Sequence, residues 1–75
     1  MAKIKRVFEQ IEETIERDAL QLSPGEFLPS EMQYSRTLAV SRLTVRKAVD
    51  GLVRSGLVQR IPGKGLMVAE AHAAP

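Results

Sequence analysis

No cysteine and no tryptophan occur among the 75 residues, and histidine occurs once, as His72. The missing thiols exclude disulfide staples and thiolate metal sites. With a single histidine near the C-terminus, a metal cluster or a Ser-His or Cys-His catalytic pair has nothing to be built from, so the sequence implies neither an enzyme nor a cofactor. Aromatics are scarce: Phe8, Phe27 and Tyr34 are all there are, each at a position that reads as core. That argues against an RNA-binding surface, which stacks bases on exposed rings. No apolar run approaches a membrane span, and the N-terminus lacks the apolar core of a signal peptide. The expectation is a cytoplasmic protein with no membrane partner.

What is present is ordinary in amount and uneven in distribution. Hydrophobic content of 44% and charged content of 27% suit one small globular domain. A chain of this size buries only about 60% of the surface that its unfolded form exposes. The formal net charge is +2, but residues 1–35 carry −3, residues 36–64 carry +6, and the remainder −1. The basic stretch holds Arg36, Arg42, Arg46, Lys47, Arg54, Arg60 and Lys64 against Asp50 alone. An asymmetry of this kind points to a polyanionic partner.

Periodicity supplies the elements. Ile4, Val7, Phe8, Ile11 and Ile15 recur at helical spacing between glutamates, predicting an amphipathic helix over residues 3–19. Pro24-Gly25 ends it, and Phe27-Leu28 suits a short strand. Ser30 reads as the N-cap of a short helix over 31–37, and Ser41 as the N-cap of a third helix. In that third helix Val45, Ala48, Val49, Leu52 and Val53 form one apolar stripe, and Gly56 suits its C-terminal stop. "LVQRI", "PGKG" and "LMVA" then read as a β-hairpin. The fold class is α+β: a winged helix-turn-helix, with three helices followed by a two-stranded hairpin wing. Residues 1–70 form the domain, and 71–75 read as a tail or truncated linker.

Function follows from the face opposite the stripe. At about 100° per residue, Leu43, Arg46, Lys47, Asp50 and Arg54 point away from the core, with Arg42 at the edge in the first turn. A helix-turn-helix places the N-terminal residues of its second helix against base edges in the major groove. Arginine suits guanine, lysine neutralises phosphate, and a bare leucine suits a thymine methyl. Arg60, Gly63 and Lys64 lie at or beside the hairpin tip, where a wing over 57–69 reaches backbone or minor groove. Arg36, in the same basic half, joins this set.

"LPSE", "LAVSRLTVRKAVDGLVRSGLV" and "GKGLMVA" resemble the N-terminal DNA-binding domain of GntR-family bacterial transcription regulators, from about Val7 to Ala69. The resemblance implies DNA contacts from Ser41, Arg42, Leu43, Thr44 and Arg46, from Gly63 at the wing, and from the position of Met32. Family members usually carry arginine in place of Met32, often threonine or serine in place of Leu43, and commonly glycine in place of Ala39. The first two departures imply an altered operator. The expected activity is sequence-specific binding of double-stranded DNA by a repressor on a pseudo-palindromic operator. An effector-binding and dimerisation domain is expected in a full-length protein, and the isolated domain is expected to be monomeric. The competing readings are a winged-helix protein adaptor, which predicts an apolar or acidic patch, and a nonspecific DNA-binding module.

Overall fold

A computed structural model describes residues 6–70. The element order is α1 (Val7–Leu20), β1 (Phe27–Leu28), α2 (Glu31–Thr37), α3 (Arg42–Arg54), β2 (Val58–Ile61) and β3 (Gly65–Val68). Three helices precede the hairpin as expected, and the sheet gains a third strand, in the order β1-β3-β2. Phe27 pairs with Met67 and Leu28 with Leu66. The first helix starts at Val7, because Arg6 is extended as its N-cap rather than helical as expected. The earlier part of that expected helix, residues 3–5, and the expected tail, 71–75, lie outside the described residues.

Caps and turns set the boundaries. Ser30 Oγ accepts the Gln33 amide at 3.1 Å, and Gln33 Oε1 accepts the Ser30 amide at 2.8 Å, so two free amides at the start of α2 are satisfied reciprocally. Ser41 Oγ accepts the Thr44 amide at 3.1 Å and starts α3. Between them Ala39 adopts φ 56°, the left-handed conformation that lets α2 and α3 meet across a tight turn. Gly56, at φ 86°, ends α3, with the Leu57 amide reaching back to the Leu52 carbonyl at 3.1 Å.

The core lies between the helices and one face of the sheet. Ile11, Ile15 and Ala19 of α1 meet Val45, Ala48, Val49 and Leu52 of α3, with Leu28, Leu57, Val58, Leu66 and Val68 below. Tyr34 is buried, and its hydroxyl donates to Asp18 Oδ2 at 2.7 Å, tying α2 to α1. Burial, then the bond to Asp18 and its negative charge, hold the phenol well above its ordinary pKa.

Two residues expected inside are outside. Phe27 is 45% exposed, because side chains alternate along a strand and Leu28 takes the inward position. Val7 is 55% exposed, because the first turn of α1 overshoots the core and lies by the start of α3.

Candidate nucleic-acid interface

Burying Val45, Ala48, Val49 and Leu52 fixes the rotation of α3 about its axis. Arg42, Leu43, Arg46 and Lys47 are thereby exposed, and Leu43 is 77% accessible. Leaving a leucine this open in the first turn of a well-packed helix contributes nothing to the core. Thr44 is half-buried, its hydroxyl 2.9 Å from that of Ser41, so these two residues build the cap while staying at the exposed end of the helix.

The hairpin stands beside this helix. Pro62 and Gly63 occupy the centre of its turn, closed by the Lys64 amide on the Ile61 carbonyl at 2.9 Å. Gly63 has φ 76°, and a Cβ added there would meet no atom within 4 Å. Its glycine is thus required by the backbone conformation, and the open space leaves room for a partner to approach. Lys64 is exposed next to it.

Between the hairpin and the helix pair runs an open groove of about 520 Å³, with Met32 and Arg42 on one side and Gly63 and Lys64 on the other. A smaller cleft of about 180 Å³ joins Arg42, Leu43 and Arg46. A third, of about 280 Å³, brings Ser41, Leu43, Thr44 and Lys47 beside Phe8. Most of the sequence-predicted set therefore falls along one continuous run of surface. Arg36 is exposed in the last turn of α2 and lines none of these three clefts.

Two of the predicted cations are differently placed. Lys47 Nζ sits 4.5 Å from the centre of the Phe8 ring, so part of its charge is held against α1. Arg60 is set back from the hairpin tip, in the body of β2, and turns toward the helices. Its guanidinium donates to Glu31 Oε2 from Nε at 3.1 Å and from Nη2 at 2.9 Å, reaches Asp50 Oδ1 from Nη1 at 2.7 Å, and meets the Arg46 carbonyl at 3.2 Å. Partial burial works against its charge, but the bonds to Asp50 and Glu31 outweigh that and raise its pKa above the ordinary arginine value. Sequence reasoning missed Glu31 and Asp50 as its partners. The available signal was Asp50 itself, the one acid in a stretch of seven bases.

Residues 3–68 match the family described as bacterial regulatory proteins, gntR family. The chain belongs to that family. It is similar to the transcriptional repressor NagR of Bacillus subtilis (strain 168), 38% identical over 65 residues, or 87% of this chain and 26% of that protein. It is also similar to MngR of Escherichia coli (strain K12), the repressor of a mannosyl-D-glycerate transport and metabolism system, 36% identical over 66 residues, or 88% of this chain and 27% of that one. The chain thus spans about a quarter of the length of these relatives. Among solved structures, the DNA-binding domain of AraR in complex with operator ORE1 aligns with a TM-score of 0.83 at 30% identity, covering 92% of this chain and 89% of that one. The N-terminal domain of AraR in a complex with mutant ORR3 aligns at 0.84 and 31% identity, covering 91% and 100%. The fold is the family's winged helix-turn-helix DNA-binding domain, and the family is one of transcription regulators, not enzymes.

Proposed function

We propose that this domain binds a specific double-stranded DNA operator, with α3 in the major groove and the hairpin against the adjacent backbone or minor groove, as part of a repressor. The observation that carries the reading is the exposed basic N-terminal half of α3, with its open Leu43, beside a glycine-tipped hairpin bearing Lys64. NagR and MngR are named as repressors, and AraR domains of this shape were solved with operator DNA, which supports the same use here. Arg42 and Arg46 take the base-reading positions, Ser41 and Thr44 the phosphates at the helix start, and Lys47 and Lys64 neutralise backbone. Met32 and Leu43 offer apolar contact, which favours thymine methyls over the partners that arginine and serine or threonine would choose. Residues 1–70 are the DNA-binding unit in this reading, and 71–75 lead out of it. Such a regulator works in the cytoplasm, on the nucleoid.

The operator is a pseudo-palindrome read by two copies, each on one half-site. The basic surface of the domain is committed to DNA, and Ile11, Ile15 and Ala19 of α1 to the core, so in this reading the isolated domain is a monomer that binds a half-site weakly. A tether between two copies makes the second contact intramolecular and raises avidity by roughly 10²–10⁴. The test is binding to selected and random duplexes at two salt concentrations, with sedimentation of the free domain. Preference for the selected site by about 10³-fold or more is expected. Equal affinity for both duplexes would reduce the domain to a nonspecific DNA binder, and a tight free dimer would overturn the assembly.

A further inference from the structure

Arg60 occupies an unusual position for a cation beside a polyanion groove. Its strand partner is Leu66, which is buried, and its neighbour two residues back, Val58, is buried too. Strand alternation therefore aims Arg60 at the core side of the sheet, near the hairpin end. It meets the only two acidic residues between positions 27 and 69, Glu31 and Asp50. All three guanidinium nitrogens are engaged, joining β2 to the first turn of α2 and to the middle of α3.

The pairs are open to water, with side-chain exposures of 37% for Arg60, 25% for Glu31 and 43% for Asp50. Ion pairs this exposed contribute little to folding. Their effect on the groove is larger. Glu31 and Arg60 both line it, so an uncovered carboxylate there would face incoming phosphate. With Arg60 in place the trio carries one net negative charge, and without it two. Lysine is a poor substitute, since a single ammonium cannot serve two carboxylates and a carbonyl from one planar fork.

We infer that Arg60 serves DNA binding without touching DNA, as a clasp that neutralises Glu31 in the groove and Asp50 on α3. Arg60 is thus a positioning residue, and the inference rests on the DNA-binding reading above. The test compares the wild-type chain, Arg60→Ala, Glu31→Gln with Asp50→Asn, and all three changes together, on a selected duplex. Arg60→Ala weakens binding by about tenfold or more at about 0.1 M salt, because the Glu31 carboxylate in the groove and Asp50 on α3 are both left unpaired beside the DNA-binding surface. The triple variant recovers to within about threefold of wild type, because the charges that Arg60 masked are gone and the changes couple. A triple variant as weak as Arg60→Ala would show that removing the two carboxylate charges does not restore binding, and would overturn the inference. Arg60→Ala binding as well as wild type would overturn it too. Heteronuclear NMR of the free protein separates the clasp from the DNA reading. The Arg60 Nε–H exchanges slowly in wild type and faster in Glu31→Gln with Asp50→Asn. Fast exchange in wild type overturns the clasp even where DNA binds, whereas a wild-type chain that selects no duplex defeats the DNA reading and leaves that spectrum to decide the clasp.

Discussion

Helices α1 and α3 bury matching stripes and expose opposite charges. Ile11, Ile15 and Ala19 on one pack against Val45, Ala48, Val49 and Leu52 on the other, in a single core. On the outside, α1 carries five acids and one base, while α3 carries Arg42, Arg46, Lys47 and Arg54 against Asp50. A helix needs only its inner stripe and its caps to fold into this core, so either sign of outer charge would satisfy α3. The charge difference is therefore a statement about partners. In the DNA-binding reading proposed above, phosphate is drawn to α3 and turned away from α1, which orients the domain before any base is read.

The strongest way to break the comparison is to truncate one apolar residue on each kind of surface. Ile15 is fully buried, and Ile15→Ala is expected to cost about 2–5 kcal/mol of folding stability through lost burial and the cavity left behind. Leu43 is chemically similar but mostly open to water, and Leu43→Ala should shift stability by no more than about 0.5 kcal/mol. Affinity for the operator should show the reverse order once corrected for the folded fraction. Urea melts and titrations on the same samples check both. A Leu43→Ala variant that unfolds easily would place that side chain in the core and remove it from recognition.

Charge deletion sharpens the comparison within the basic surface itself. Arg46 projects from α3 beside Arg42 and Leu43, and Arg46→Ala should cost about 1–3 kcal/mol in binding and relax specificity at one base position. Lys64 stands on the hairpin, and Lys64→Ala should weaken all duplexes alike, lowering the slope of log affinity against log salt by about one unit. Titrations over a salt series on matched and single-substituted operators separate the two. Equal, sequence-blind losses would contradict the division between reading and neutralising.

How much of this was legible beforehand depends on the distance along the chain. Caps at Ser30 and Ser41, the stripe of α3 and the stop at Gly56 each depend on residues a few positions apart, so the sequence pattern carries them. Arg60 and Glu31 are 29 positions apart, and no local period announces that a strand will place one against the other. Counting Arg60 among the free cations therefore overstated the bare charge at the hairpin. Phe8 under Lys47 escaped for the same reason, since the two meet only because α1 and α3 pack side by side. Phe27 failed differently. Two adjacent apolar residues look like a buried pair, yet a strand with one covered face can bury only one of them.

The smallest effect concerns the turn that joins the two helices of the reading unit. Ala39 sits at φ 56° and is exposed, so its methyl group gains no burial and bears the strain of a left-handed backbone. That conformation costs a residue with a Cβ roughly 1–2 kcal/mol, and glycine nothing comparable. Glycine also widens the unfolded ensemble, which takes back about 0.4–1 kcal/mol. The balance predicts that Ala39→Gly leaves stability unchanged or raises it by up to about 1.6 kcal/mol, which for a domain of this size is a melting shift of at most about 13 °C. Operator affinity should not move, because the turn already holds the angle between α2 and α3 that glycine would adopt without strain. A clear fall in melting temperature would mean that the turn keeps negative φ in solution, and the placement of α3 on α2 would then need a different account.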